Sequence, residues 1–214
     1  MSALTGEQIE HFQTEGYVVV DDVISPEEFL DPLEEEYATV LDLLTGELFE
    51  SGSISSTYAS LSFSDRLIKV YQESGKVHSG YFDFSLPQGG IKHDTPMWHG
   101  PAVFNTLTAD SLLDAVESII GPEIFSNPVQ HVRMKPPEHM TPKDHSGRVQ
   151  LGATPWHQDL GVVTAEANDT EMLTVWLPVW DADEDAGCLQ LVPWSHTEGL
   201  AFHCAGPNAA TPGL

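Results

Sequence analysis

Residues 173–177 have the sequence LTVWL, an apolar run of strand length that is rich in β-branched and aromatic side chains. Similar short runs occur at residues 128–134 and 188–192, and turn residues separate the three runs. Repeated short strands between turns are typical of an antiparallel β sandwich or barrel. We therefore expect residues 123–214 to fold mainly as β structure.

The first 122 residues carry helix signals instead. TGEQ at residues 5–8 has the pattern of a capping box, which predicts a helix to about Glu15 that Gly16 ends. SPEE at residues 25–28 predicts a second, acidic helix that runs to about Leu44.

Three further segments complete this part of the prediction. Asp110 begins a helix that Gly121 and Pro122 end, while YVVV at residues 17–20 favours a strand and residues 45–62 favour a loop. We expect a single α+β domain over residues 1–214, with a helical part at 1–122 and a β part at 123–214.

Charge is distributed very unevenly along the chain. Thirty-three Asp and Glu oppose eight Lys and Arg, which gives a formal net charge of −25. Such a field repels phosphate backbones and anionic lipid, so we expect binding neither to nucleic acid nor to a membrane surface. All eight basic residues lie between Arg66 and Arg148, so a cation that holds an anionic ligand must come from this middle third.

Location and redox state follow from what the sequence lacks. The start has no basic segment followed by an apolar one, and the apolar runs are far shorter than a membrane helix requires. Cys188 and Cys204 are too few for a disulfide framework. We expect a cytoplasmic protein with ordinary thiols.

The segment TPWHQD at residues 154–159 contains the candidate metal ligands. Side chains alternate in extended backbone, so His157 and Asp159 should point to the same side. An imidazole and a carboxylate are two of the three ligands of a 2-His-1-carboxylate Fe(II) site. By itself the His-x-Asp pattern is a weak signal, because a surface histidine beside an aspartate explains it equally well.

Longer stretches of the chain resemble the phytanoyl-CoA dioxygenase family. Its core is matched in order by TPWHQD at 154–159, TVWL at 174–177 and AGCLQLVPWSH at 186–196. The layout before this core is similar too, with GYVVV at 16–20 and KPP at 135–137. The resemblance implies a double-stranded β-helix, the jelly-roll barrel, with Fe(II) at its mouth and 2-oxoglutarate as cosubstrate.

The resemblance also implies roles for individual residues. His157 and Asp159 would ligate the iron and act as the catalytic pair, with O2 oxidising a small organic or lipid-like substrate and succinate and CO2 as coproducts. Asp159 favours a hydroxylase, because related halogenating members have a small residue there. His131 and Trp176 would line the cosubstrate pocket, and Lys92 would contact the cosubstrate. Core packing is the alternative for Trp176, and a solvated surface position is the alternative for Lys92.

Two family features have no counterpart at the matching positions. The family takes its third ligand from a distal histidine, followed by an arginine that pairs with the cosubstrate carboxylate. His196 and His203 do not match that histidine, and no Lys or Arg follows Arg148. We therefore expect a member that lacks the C-terminal part of the barrel. The alternatives are a noncatalytic binding module and a non-redox protein that binds a divalent metal.

Overall fold

The regular structure of the chain is helical in the computed structural model, which describes residues 3–85, 91–127, 130–162, 169–184 and 186–201. The α-helices in these ranges are α1 Gly6–Glu15, α2 Asp31–Glu50, α3 Phe63–Ser74, α4 Pro101–Leu107 and α5 Asp110–Ile120. A π-helical turn, Pro26–Leu30, precedes α2. Short 3-10 turns include Ser79–Tyr81, Glu138–Met140, Asp159–Val162 and Ser195–Glu198.

The chain forms two units. The first unit comprises Met1–Val23, Asp110–Ile124 and Thr154–Leu214, and the second comprises Ile24–Ala109 and Phe125–Ala153. Helices α1 and α5 therefore belong to the first unit, and α2, α3 and α4 belong to the second. None of the helices in the described ranges combines the length and the apolar composition that a bilayer crossing needs.

Helix α1 of the first unit begins and ends as its sequence predicts. The Thr5 hydroxyl accepts a hydrogen bond from the Gln8 N–H at 3.2 Å, and the Gln8 side chain accepts one from the Thr5 N–H at 2.8 Å. Gly16 ends the helix in the left-handed region with a φ of 84°. The His196 Nε2–H donates to the carbonyl of Gln13 at 3.1 Å, so the 3-10 turn Ser195–Glu198 packs against this C-terminus.

Replacing Gly16 by alanine should lower the free energy of unfolding by about 2 kcal/mol, because both a left-handed φ and a steric clash oppose a side chain here. A Cβ on Gly16 would overlap the His196 ring. Gly121 is the matched control, since its φ is +81° but a Cβ there meets nothing within 4 Å. Urea denaturation should show Gly121→Ala to cost only about 1 kcal/mol. Equal losses in the two variants would contradict the role of His196.

The core of the second unit forms between α2, α3 and Phe82. Apolar residues three or four positions apart place one face of each helix in this core. The Tyr37 hydroxyl of α2 donates to the Phe82 carbonyl at 3.0 Å, and burial raises the pKa of Tyr37 well above its usual range. The core side chains are Leu33, Tyr37, Val40, Leu41 and Leu44 from α2, Leu67, Val70 and Tyr71 from α3, and Phe82.

A buried arginine joins α2 to α3 at the edge of this core. The Arg66 guanidinium donates to the Asp42 carboxylate at 2.5 Å, to the Thr45 hydroxyl at 2.7 Å and to the Thr57 carbonyl at 2.8 Å. Arg66 is only 8% exposed and Thr45 is fully buried. Arg66, one of the eight basic residues, therefore stabilises the fold.

The predicted β architecture is wrong for the described residues. They contain no strand, and their β pairing is limited to one isolated antiparallel bridge between Lys143 and Val149. The runs at 173–177, 188–192 and 17–20 have no regular secondary structure, and neither do residues 130–134. Residues 128–129 lie outside the described ranges. A jelly-roll barrel is therefore not the architecture of this part of the chain.

The error has a physical cause. A β-branched run becomes a strand only when the backbone of another segment pairs with it and an apolar layer covers one face. The composition of a run indicates its tendency to form a strand, but it does not show which segment will pair with it. In the structure Val19, Val175 and Leu191 remain 75%, 45% and 50% exposed, respectively.

One helix boundary also differs from the prediction. Helix α2 continues to Glu50, through the first six residues of the predicted loop 45–62, because Leu44 and Thr45 are buried in the second unit. The predicted starts at Ser25 and Asp110 are confirmed, since the Ser25 hydroxyl accepts from the Glu28 N–H at 3.3 Å and α5 begins at Asp110. Its predicted end at Gly121 is confirmed as well.

Candidate metal centre

The candidate ligands lie in the first unit, where an irregular segment enters a 3-10 turn. Asp159 is the first residue of the turn Asp159–Val162, and the Gly161 N–H donates to the Gln158 carbonyl at 2.9 Å to close it. His157 lies two residues before this turn. Its Nε2 atom lies 3.2 Å from Oδ1 of Asp159. The two side chains therefore converge on one point.

The ring of His157 is oriented by the backbone before it. Its Nδ1 atom lies 2.7 Å from the carbonyl oxygen of Pro155, which can only accept, so Nδ1–H is the donor. The Nε2 atom of the neutral ring then carries a lone pair and faces the Asp159 carboxylate. Two electron-rich atoms at this distance require a proton or a metal cation between them.

The carboxylate of Asp159 is held from its other side by Thr174. The Thr174 hydroxyl donates to Oδ2 at 2.5 Å, which leaves Oδ1 directed at His157. Hydrogen bonds of this kind orient metal ligands in proteins. Thr174 was not a predicted site residue, although it lies in the family-like stretch TVWL.

Gln158, between the two candidate ligands, points to a different part of the first unit. Its Nε2 donates to the carbonyl of Gly199 at 2.9 Å, and its Oε1 accepts from the N–H of Ala201 at 2.7 Å. These two hydrogen bonds fix the backbone between the two candidate ligands. Side-chain alternation in extended backbone predicts that Gln158 points away from His157 and Asp159, but it indicates no function for this residue.

The pair fits a metal ion in donor type and in spacing. Imidazole nitrogen and carboxylate oxygen suit a first-row divalent cation. Ligands at about 2.1 Å that are adjacent in an octahedral site are separated by about 3.0 Å, close to the separation found here. The side chains are 49% and 42% exposed, so solvent and small ligands can reach the point between them.

A third protein ligand does not join this pair within the described residues, where no group of three His, Cys, Asp or Glu side chains could hold a metal. His196 binds the carbonyl of Gln13 at the end of α1. His203 lies outside the described residues. The described site therefore contains two candidate ligands, one of each type.

Trp176 lies in the same unit as the pair and is 47% exposed. It follows Thr174 by two residues in a segment without regular structure. This exposure does not fit the core-packing alternative for Trp176. The indole is available for contact with a ligand or partner.

His131 and Lys92 belong to the second unit. The Nδ1 atom of His131 lies 3.1 Å from Oδ2 of Asp83, and Oδ1 of the same carboxylate accepts from the Val132 N–H at 3.1 Å. Asp83 thus orients the imidazole through Nδ1, and Nε2 has no hydrogen-bond partner in the part of the chain that the structure describes. Sequence spacing could not indicate the contact with Asp83. Lys92 is exposed, and its backbone N–H donates to the Thr95 hydroxyl at 2.7 Å.

The family model described as Phytanoyl-CoA dioxygenase (PhyH) matches residues 12–209, which is most of the chain. Searches of curated proteins and of solved structures gave no match.

Proposed function

Because the chain belongs to the phytanoyl-CoA dioxygenase family, we propose that it is an Fe(II)- and 2-oxoglutarate-dependent oxygenase. Its reaction hydroxylates a small organic or lipid-like substrate with O2 and yields succinate and CO2 as coproducts. The observation that carries this proposal is the convergence of His157 Nε2 and Asp159 Oδ1 at 3.2 Å.

Residues of the first unit would hold and orient the metal. His157 donates through Nε2, because the Pro155 carbonyl occupies Nδ1–H. Asp159 donates through Oδ1, because the Thr174 hydroxyl occupies Oδ2. When bound, the iron supplies the redox chemistry that couples decarboxylation of 2-oxoglutarate to hydroxylation.

The half-exposed position of the pair suits such a reaction. A site that binds a cosubstrate and O2 must keep coordination positions free of protein ligands. Trp176, His131 and Lys92 are proposed to contact the cosubstrate. His131 would do so through Nε2, since Asp83 holds its Nδ1–H.

An anaerobic titration of the metal-free chain with Fe(II), with and without 2-oxoglutarate, tests the proposal. We expect a visible metal-to-ligand charge-transfer band that requires both components, followed by succinate release when O2 is admitted. Metal binding without the band would indicate a non-redox divalent-metal protein. Absence of metal binding would indicate a noncatalytic module, and either result would contradict the proposal.

Replacing Thr174 by valine should weaken metal binding by about tenfold to 100-fold, because Asp159 loses the hydrogen bond that orients it. Isothermal titration calorimetry with Mn(II) measures this affinity without turnover. Thr39→Val is the matched control, since Thr39 is exposed on α2 and its hydroxyl donates only to the Glu35 carbonyl. The role of Thr174 is refuted if the two variants bind Mn(II) alike.

A further inference from the structure

A cavity of about 360 Å3 lies in the second unit, between the end of α3 and a closed loop. Residues 75–77 form one wall, and residues 143–145 with Gln150 form the other. Gly75 ends α3 in the left-handed region, with a φ of 67°, and turns the chain along the cavity. None of the candidate iron or cosubstrate residues lines it.

Hydrogen bonds fix both walls of this cavity. The Gln150 Oε1 accepts from the Val77 N–H at 3.0 Å, and its Nε2 donates to the Gly75 carbonyl at 2.9 Å. The loop opposite is closed by the bridge between Lys143 and Val149 and by the Asp144 N–H, which donates to the Arg148 carbonyl at 2.7 Å. The cavity is therefore preorganised, which lowers the entropic cost of binding a ligand.

The lining of the cavity is cationic. Lys76 and Lys143 line it from opposite walls, and His145 adds a third nitrogen-bearing side chain. Within the described part of the chain, no carboxylate lies within salt-bridge distance of either lysine. Two of the eight basic residues in a protein of net charge −25 thus face one concave site.

The one acidic residue in the lining, Asp144, forms hydrogen bonds within its own loop. The Asp144 carboxylate accepts from the Ser146 hydroxyl at 2.6 Å and from the Arg148 N–H at 3.0 Å. These hydrogen bonds hold the pKa of Asp144 below its usual value. The Arg148 side chain lies 3.6 Å from the same carboxylate and offsets its charge.

We propose that this cavity binds a small oxyanion, the phosphate or carboxylate group of a metabolite, between Lys76 and Lys143. A concave site whose lining has a net positive charge attracts anions, and lysine ammonium groups bind both kinds of oxyanion as point charges. The site takes a ligand other than iron, so it is independent of the proposed oxygenase reaction.

Isothermal titration calorimetry of the metal-free chain with inorganic phosphate, and separately with succinate, tests the site at constant ionic strength. We expect saturable binding. The anion that binds more tightly identifies the ligand group as a phosphate or a carboxylate. The variant Lys76→Gln/Lys143→Gln should bind about tenfold more weakly, since each exposed ion pair contributes about threefold. Neither expectation requires iron, so failure here leaves the oxygenase proposal untouched.

Two further variants distinguish binding at this cavity from a general effect of the protein's charge on anion binding. Lys69→Gln removes the same charge from an exposed position on α3 and should leave binding unchanged. Asp144→Asn removes the one acid of the lining and should tighten binding by about threefold, a gain that misfolding cannot produce. The proposal is overturned if the wild type binds neither anion, or if Lys69→Gln weakens binding as much as the double variant.

Discussion

Replacing Arg66 by alanine should lower the free energy of unfolding by about 3 kcal/mol, because the change removes a buried guanidinium and leaves its partners unpaired. The Thr57 carbonyl loses its donor at 2.8 Å, and the fully buried Thr45 hydroxyl loses its donor at 2.7 Å. The aliphatic part of the side chain also leaves the interface between α2 and α3. Urea denaturation monitored by far-UV circular dichroism measures the loss.

Asp42→Ala is the matched control for this prediction. The Asp42 side chain is 66% exposed, so solvent screens its ion pair with Arg66, and removing it should cost less than about 1 kcal/mol. Arg66 retains its other two hydrogen bonds in that variant. Equal losses in the two variants would mean that the ion pair, rather than the buried hydrogen bonds, stabilises this interface.

Local signals in the sequence located several helix ends. The capping boxes at residues 5–8 and 25–28 and the stop at Gly121 depend on groups three or four residues apart, so a short window contains all the relevant chemistry. Helix α3 carried a comparable signal that the prediction did not use. The Ser62 hydroxyl accepts from the Asp65 N–H at 3.2 Å, and Leu67, Val70 and Tyr71 follow at helical spacing.

Contacts between segments that are distant in the sequence could not be predicted from such local signals. The runs at 173–177 and 188–192 have strand composition, yet a strand also needs a partner whose identity is not encoded in the run itself. The contact of Asp83 with His131 spans 48 residues for the same reason. The sequence around either residue gives no indication that the other is its partner.

The candidate site was predictable to the extent that it is local. His157 and Asp159 are two residues apart, so backbone geometry alone brings their side chains within range of each other. The contacts that orient them were not predictable to the same degree. Thr174 lies 15 residues from Asp159 along the chain, and the Pro155 carbonyl acts through the backbone, which a pattern of side-chain types does not reveal.

Replacing either His157 or Asp159 by alanine should weaken divalent-metal binding by more than about 100-fold, because loss of a direct ligand exceeds the 10–100-fold effect of losing an orienting partner. Each variant removes one of the two proposed ligands, whose donor atoms lie 3.2 Å apart, and leaves the other side chain to hold the ion alone. Mn(II) titration calorimetry measures the affinity. The charge-transfer band with Fe(II) and 2-oxoglutarate should disappear in both variants.

His93 and Asp94 provide the matched control for these two substitutions. They form a second His and Asp pair, 4.0 Å apart, whose side chains are 99% and 73% exposed. The variants His93→Ala and Asp94→Ala make the same chemical changes at a position without converging, oriented donors, so metal affinity and the band should remain as in the wild type. If removing His157 affects metal binding no more than removing His93, then His157 and Asp159 do not share a metal, and the iron site assigned to them is wrong.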